Sequence, residues 1–245
     1  MEVALQLYSV RKEVNKDFFN TLKKISEIGY REVEFAGFYH VSSKDMKKAL
    51  DDFNLKPVGS HTSLEELRVN FNEVIEYNME IGNNTIICPY AKCKDKAEYL
   101  SLAEELNDIG KRLKEKGLAF GYHNHSHEFN LVDGEYGLDV LFNNTDENLV
   151  KMELDVFWAH HAGVKVLPYM DKWKDRLSLM HIKDMSQDNK NQVPIGEGII
   201  DLKSIIKKAE EIGLNNVIVE SDDPKPDGIS EIAVSLSNLI KMNIL

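Results

Sequence analysis

Cysteine, proline and long apolar runs are all scarce in this chain. Its 245 residues include two cysteines and six prolines. Cys88 and Cys93 are too few for a disulfide framework or for the paired motifs of a structural zinc site, so we interpret them as free thiols of a cytoplasmic protein. No run of about 18 apolar residues occurs, and the N-terminal "MEVALQLYSV" has no basic segment. We therefore expect neither a membrane span nor a secretory signal.

Positive charge is also in short supply. The 30 basic residues are outnumbered by 41 acidic ones, which gives a formal net charge of −11. Nucleic-acid binders usually carry a positive surface to meet phosphate, so this balance favours a small-molecule partner. No Pro/Gly/Ser-rich linker divides the chain, and about 250 residues is a usual length for one α/β barrel. The sequence thus predicts a single domain over residues 1–245.

One phrase recurs along the chain: a charged amphipathic stretch, a glycine, and then a β-branched or apolar run. The four copies are "KKISEIGYREVEF", "EYNMEIGNNTIICPY", "KRLKEKGLAFGYH" and "KKAEEIGLNNVIVE", with glycines at Gly29, Gly82, Gly117 and Gly213. Such a phrase predicts a helix closed by a left-handed glycine and followed by a buried strand.

Eight strands follow from this reading and from variants of the phrase without the glycine. They begin near Val3, Arg31, Pro57, Thr85, Leu118, Val150, Leu177 and Val217, and the third, "PVGSH", is the shortest. Alternating strands and helices imply parallel strands with right-handed crossovers, and eight such units close into a (β/α)8 TIM barrel. A doubly wound dinucleotide-binding sheet is the alternative, but it needs a Gly-rich turn that "QLYSVRKEV" lacks.

Polar residues gather at the ends of the predicted strands, where the chemistry of such barrels takes place. In chain order these residues are Gln6, Tyr8, Glu34, His61, Tyr90, His123, His125, Glu153, Asp155, His181, Lys183, Glu220 and Asp222. Seven of the eight histidines lie at or just beyond a strand end, and only His40 stands apart. Trp158 could stack on a sugar ring, and Glu197 in "PIGEG" could belong to a loop that covers a ligand. The sequence predicts an active site at this end of the barrel.

Three of these residues suggest a metal site. Asp155, His181 and Glu220 come from successive strands, each directly after an apolar run. Burying so many ionisable groups is costly unless they are paired or bind a cation. Carboxylate and imidazole together suit Mn²⁺, Co²⁺, Zn²⁺ or Fe²⁺. We hypothesise that these three, with His123 as a fourth ligand, hold one divalent metal ion; the alternative is a metal-free network of hydrogen bonds and ion pairs.

An ordered set of motifs resembles the sugar phosphate isomerase/epimerase family, the xylose isomerase-like TIM barrels. The motifs are "LQLYSVR", "EVEFAG", "GYHNHSHEF", "ELDVFWAHHAG", "HIKDM" with "PIGEGIID", and "VIVESD". The resemblance covers essentially the whole chain and implies a divalent metal, commonly Mn²⁺, at His123, Asp155, His181 and Glu220. Many relatives have Glu where this chain has His123. That difference makes the site less anionic and removes one of the two acid/base carboxylates of the family's epimerases.

The resemblance implies an isomerase or epimerase of cytoplasmic carbohydrate metabolism that acts on a sugar or keto-sugar. A proton would leave the carbon next to a carbonyl through a metal-stabilised enediolate. His125 matches the base of relatives that act on keto-sugars, keto-glycosides and inososes, and histidine suits this role at neutral pH. Lys183 would help neutralise the oxyanion, and Glu220 or Glu153 would return a proton. The expected substrate-binding residues are Gln6, Tyr8, Glu34, His61, Tyr90, Trp158 and Glu197.

Other functions stay open at this point. A lyase or dehydratase would use the same carbanion chemistry but expel a leaving group. A non-catalytic sugar-binding barrel would bind sugar without a metal. DNA-repair nucleases share the superfamily, but the acidic charge argues against them. Relatives are often dimers, and nothing in the helices of this chain separates a homodimer interface from a solvated face.

Overall fold

Eight parallel strands close into a barrel in the computed structural model, which describes residues 1–188 and 191–244. The strands are β1 (Glu2–Gln6), β2 (Glu32–Ala36), β3 (Lys56–His61), β4 (Thr85–Cys88), β5 (Ala119–His123), β6 (Lys151–Asp155), β7 (Leu177–Ile182) and β8 (Asn216–Val219). Each pairs with the next, and β8 pairs with β1. The predicted TIM barrel is confirmed, and every strand begins within one residue of its predicted start.

Helices connect the strands. They are α1 (Arg11–Val14), α2 (Phe18–Ile28), α3 (Ser43–Phe53), α4 (Leu64–Val69), α5 (Phe71–Ile81), α6 (Lys96–Lys114), α7 (Gly137–Asn143), α8 (Val156–His161), α9 (Val166–Trp173), α10 (Leu202–Ile212) and α11 (Gly228–Lys241). Two 3-10 turns (Leu7–Val10 and His127–Phe129) and two short ribbons (Leu131–Val132 with Glu135–Tyr136, and Asp184–Met185 with Gln192–Val193) complete the described elements. In the part of the chain that the structure describes, no helix is long and apolar enough to cross a membrane.

The glycine in the repeated phrase does what the phrase predicts. Gly29, Gly82 and Gly213 directly follow α2, α5 and α10 with φ angles of 125°, 78° and 95°. Gly117, just after α6, has a φ of 79°. Glycine reaches these angles without the steric cost that a side chain would add, so the chain can leave the helix at or just before the glycine and turn into the next strand.

The third strand differs from its prediction. β3 has six residues, whereas β4 and β8 have four, so the expectation that it is the shortest was wrong. Pro57 lies near its start, where a missing N–H costs little. A register shift between Val33 and Glu34 lets β2 follow β3 as far as His61. β3 therefore reaches the same end of the barrel as its neighbours.

The barrel interior is apolar at one level and polar at the next. Its apolar plug consists of Ala4, Ile87, Leu179 and Ile218, with Val58 packed against them. Side chains two positions apart on a strand share a face. The residues that follow at this spacing are Gln6 after Ala4, His181 after Leu179, and Glu220 after Ile218. The plug closes the barrel from below, and the polar residues above it form the floor of the candidate site.

Asp184 organises the loop that follows β7. Its carboxylate is almost fully buried and accepts hydrogen bonds from four backbone N–H groups. The donors, at 2.8–3.2 Å, are Met185, Gly196, Gly198 and Ile200. A Cβ atom on Gly198 would lie 2.1 Å from Asp184 Oδ1, so only glycine lets the loop approach this closely.

We expect Asp184→Asn to lower the free energy of unfolding by about 2–3 kcal/mol, because a buried amide nitrogen would then face backbone donors. Urea denaturation measures this change. Asp171→Asn is the matched control: Asp171 is exposed and pairs with Lys208 at 3.1 Å, so its loss should cost about 0.5 kcal/mol or less. Equal stability of the two variants would contradict the role given to Asp184.

Candidate active site

A cavity of about 710 Å³ opens at the C-terminal end of the barrel. Its lining residues are Tyr8, Ala36, Gly37, Phe38, Tyr39, His40, His61, Thr62, Ser63, Glu66, Val74, Pro89, Tyr90, His123, His125, Glu220 and Asp222. Seven of the residues selected from the sequence are among them: Tyr8, His61, Tyr90, His123, His125, Glu220 and Asp222. His40, which the sequence set apart, lines the cavity as well.

The ends of β5, β6, β7 and β8 bring four potential metal ligands together. One ligand atom from each of His123, Asp155, His181 and Glu220 lies within 4.8 Å of the others, and all four residues are buried. Two carboxylates and two imidazoles suit a divalent transition metal. Asp155 Oδ2 is buried and makes no hydrogen bond among the described residues, although the Lys183 ammonium lies 3.0 Å away as an ion-pair partner. The cluster could therefore bind a divalent metal ion; the assignment of each ligand stays a prediction.

Lys183 supplies positive charge beside this cluster. Its Nζ lies 3.0 Å from Asp155 Oδ2, 2.7 Å from Glu220 Oε2 and 2.9 Å from Asp222 Oδ2. Burial disfavours the ammonium, but the three carboxylates outweigh it and hold the pKa of Lys183 well above its usual value. Burial raises the pKa of Asp155 to about 6, against the opposing charges of Lys183 and His181. The ammonium lies where negative charge on a bound oxygen would need neutralising.

Beneath the cavity lies a second group of polar side chains, which includes three of the predicted site residues. Gln6, Glu34 and Glu153 are fully buried and do not line the cavity. Gln6 Nε2 donates to Glu34 Oε2 at 2.7 Å, and His61 Nε2 lies 2.7 Å from Glu153 Oε2. Burial opposes protonation of His61, but Glu34 and Glu153 outweigh it and raise its pKa to about 10. The imidazole of His61 is thus held between two carboxylates.

His125 is oriented by a residue that the sequence did not single out. Glu128 is fully buried; its Oε2 accepts the His125 backbone N–H at 2.8 Å, and its Oε1 accepts the Tyr122 hydroxyl at 2.9 Å. His125 Nδ1 has no hydrogen-bond partner in the described part of the chain. Burial, with help from Lys183, lowers the pKa of His125 to about 4, so this imidazole is neutral at neutral pH.

Two residues predicted to bind substrate lie in different environments. Trp158 is half-buried, with its ring centroid 5.9 Å from that of His125 and 5.7 Å from Lys183 Nζ. Its Nε1 is buried and lacks a hydrogen-bond partner among the described residues. Glu197 is exposed and is not among the side chains that line the cavity. Trp158 does not line the cavity either, although its ring lies beside His125 and Lys183; substrate binding by both residues stays a prediction.

The loop after β2 contributes side chains that sequence reasoning missed. Tyr39 and His40 line the cavity with φ angles of 52° and 58°. The hydroxyl of Tyr39 is buried and has no partner within the described residues, and burial raises its pKa to about 12. Left-handed backbone at two successive non-glycine residues has no signal in "FYHV", so no sequence pattern pointed to Tyr39 and His40.

Comparison with known proteins identifies the protein family. Residues 22–239 match the family described as xylose isomerase-like TIM barrel. The chain belongs to this family.

Similar proteins include a sugar phosphate isomerase/epimerase and two inosose dehydratases. A sugar phosphate isomerase/epimerase from Parabacteroides distasonis has a similar structure, with a TM-score of 0.85 and 28% identity over 97% of this chain and 93% of that one. An inosose dehydratase from Clostridium perfringens is 28% identical over 163 residues, which span 59% of this chain and 54% of that one. Another from Clostridium beijerinckii is 24% identical over 91% of this chain and 89% of that one.

Proposed function

We propose that this protein is a divalent-metal-dependent isomerase or epimerase that acts on a sugar or keto-sugar by removing a proton from carbon next to a carbonyl. One observation carries the proposal: His123, Asp155, His181 and Glu220 converge within 4.8 Å of one another, and His123 and Glu220 of this group line the same cavity as His125. Proton abstraction next to a carbonyl needs a metal ion and a free base, and this group of potential ligands lies beside an unpartnered imidazole.

The side chains at and beside the cavity have separate roles in the proposed reaction. A divalent ion held by the cluster would stabilise negative charge that develops on the carbonyl oxygen. His125 would take the proton, because it lines the cavity and its Nδ1 has no hydrogen-bond partner within the described residues. Lys183 would add positive charge near that oxygen from its place beside Asp155 and Glu220. Glu220 faces the cavity and is the better placed of the two predicted carboxylates to return a proton, since Glu153 does not line it.

The cavity also suits a sugar-sized substrate. It combines ionisable groups with the aromatic rings of Tyr8, Phe38 and Tyr90. Aromatic faces pack against the apolar faces of sugar rings, while the polar groups bind hydroxyls. Tyr90 is half-exposed and has its ring centroid 5.6 Å from that of His125. A ring bound against Tyr90 would therefore lie within reach of the proposed base.

Elimination of water from a keto-sugar or an inosose is the second candidate. The relatives named inosose dehydratase favour it, and so does the number of free bases. Epimerisation needs proton exchange on both faces of a carbon, whereas elimination and one-base isomerisation need a base on one face. In the described site Glu153 contacts imidazoles and Glu220 contacts His181 and Lys183, so His125 is the base that no charged partner engages.

Two measurements on the purified protein test the proposal. We expect about one divalent ion per chain by elemental analysis, and we expect metal removal by a chelator to abolish turnover until Mn²⁺ or Co²⁺ is returned. On a panel of keto-sugars and inososes in deuterated water, an isomerase or epimerase incorporates deuterium into an intact sugar, whereas a dehydratase releases a dehydrated product. Sugar binding without any metal or turnover would instead identify a non-catalytic binding protein.

A further inference from the structure

The two histidines of the proposed metal cluster each face carboxylates on both sides. His123 Nδ1 lies 2.9 Å from Glu153 Oε2, while its Nε2 points toward Asp155, 3.8 Å from Oδ2. His181 Nδ1 lies 2.7 Å from Glu220 Oε2, while its Nε2 lies 2.7 Å from Glu34 Oε2. Each ring thus turns one nitrogen to the cluster and the other to a carboxylate behind it.

A neutral imidazole has one N–H and one lone pair, so each ring can bind a metal through one nitrogen only. The structure contains a second group whose ligand atoms also lie within 4.8 Å of one another, formed by His61, His123, Glu153 and His181. Because His123 and His181 belong to both groups, two ions could be held together only if both rings lost their last proton. If only one ion binds, each ring can remain neutral and donate its N–H group to a carboxylate.

We propose that Glu34 and Glu153, which we call the inner carboxylate pair, are positioning residues that hold the protons of His181 and His123. Each imidazole is thereby fixed in the tautomer that turns its lone pair toward Asp155 and Glu220. This inference rests on the proposed function, because it assigns the single ion to that group. Under this inference Glu34 does not bind substrate and Glu153 does not return a proton; both act through the histidines.

Burial supports this role. Both carboxylates of the inner pair are fully buried and neither lines the cavity, so a substrate there meets His61, His123 and Glu220 instead. A Cβ atom on Gly59 would come within 2.5 Å of Glu34 Oε1, so the backbone of β3 closes over this carboxylate. Outer carboxylates of this kind fix the ring orientation of metal-binding histidines and make them better ligands.

His61 provides the charge that keeps the inner pair together. Its Nε2 lies 2.7 Å from Glu153 Oε2 and 3.2 Å from Glu34 Oε2, so this nitrogen must carry a proton to stand between them. Among the described residues neither carboxylate has a Lys or Arg partner, and Gln6 donates one further hydrogen bond to Glu34. The pair therefore has donors from three imidazoles and one amide, which leaves it anionic and able to accept N–H groups from His123 and His181.

The test measures metal binding in Glu153→Gln and Glu34→Gln, which keep side-chain size and remove charge. By competition with a chelator, we expect each variant to bind Co²⁺ about 10- to 100-fold more weakly than the wild type. The stoichiometry should stay at one ion per chain. The visible absorption spectrum of bound Co²⁺ should keep its band positions, because the ligands are unchanged. At saturating metal we expect kcat to return to within a few-fold of the wild-type value.

Glu231→Gln is the matched control, since Glu231 is a buried carboxylate that accepts the Lys225 backbone N–H within the β8–α11 loop and belongs to neither group of potential ligands. It should leave Co²⁺ affinity unchanged. If Glu153→Gln fails to fold, Glu34→Gln carries the test alone.

Several results would overturn the inference. Two ions per wild-type chain would show that both positions fill. A Co²⁺ spectrum altered in Glu153→Gln would make Glu153 a direct ligand. Unchanged affinity with kcat lowered more than about 100-fold at saturating metal would make Glu153 catalytic. A wild-type chain without any metal affinity would refute the proposed function and this inference together, whereas wild-type metal binding with unaffected variants would refute this inference alone.

Discussion

Asp155→Asn is expected to lower metal affinity at least about 100-fold and turnover by about 10³-fold. Asp155 is fully buried in the cluster, and an amide is a neutral and weaker ligand than a carboxylate. Metal ions contribute several kcal/mol of charge stabilisation to reactions of this kind, and each 1.36 kcal/mol is a factor of ten in rate. Isothermal titration with Mn²⁺, elemental analysis and steady-state kinetics measure the two effects.

This variant is informative because the fold should survive it. Asp155 also caps α8, with Oδ1 accepting the Trp158 backbone N–H at 3.0 Å. Asn caps helices about as well as Asp, so that hydrogen bond can remain. Asp201→Asn is the control: Asp201 caps α10 through the Ser204 backbone N–H at 3.1 Å and lies on the surface. If Asp155→Asn binds metal as tightly as the wild type and Asp201→Asn do, Asp155 is not a ligand. A wild-type chain that binds no metal would instead make the cluster a metal-free network of ion pairs.

His125→Gln is expected to lower kcat by about 10²- to 10⁴-fold, the usual contribution of a general base. Glutamine approximates the size of the ring but cannot accept a proton at neutral pH. The metal content should not change, because His125 is outside the four-residue cluster. The measurement is kcat, together with the rate at which substrate exchanges a carbon-bound proton with deuterated solvent.

Both kcat and the rate of solvent exchange are needed to identify the step in which His125 acts. Loss of turnover together with loss of solvent exchange assigns it to proton removal, whereas exchange that continues without product assigns it to a later step. His161→Gln is the control, since His161 is exposed at the end of α8 and does not line the cavity. Wild-type turnover in His125→Gln would remove this residue from the base role.

The two candidate functions differ in what the site must supply after the proton has left. Isomerisation returns a proton to a neighbouring carbon, while dehydration must protonate a departing hydroxyl group. The cavity contains several groups that could do either, among them the hydroxyl of Tyr39, which lacks a partner among the described residues. The product therefore decides between them, and the metal site is common to both.

The sequence by itself determined the barrel and the composition of its mouth. The apolar runs, four of them preceded by a glycine that follows a helix, set the strand positions to within one residue. The spacing of two between Glu153 and Asp155, or between His181 and Lys183, placed these side chains on the inner face of their strands, because side-chain direction in a strand alternates. The order of the family's motifs along the chain then indicated a metal site at the strand ends.

Only the tertiary structure determined how deep each side chain lies at this end of the barrel and which side chains it contacts. Alternation tells whether a side chain points inward, but the stagger between neighbouring strands sets its level along the barrel axis. For this reason Gln6 and Glu34 lie below the cavity although the sequence predicted contact with substrate, and Glu197 lies outside it. Loop conformation decided that His40 lines the cavity. Which nitrogen of His123 and His181 faces which carboxylate depends on contacts between strands that are distant in sequence, and no local pattern contains that information.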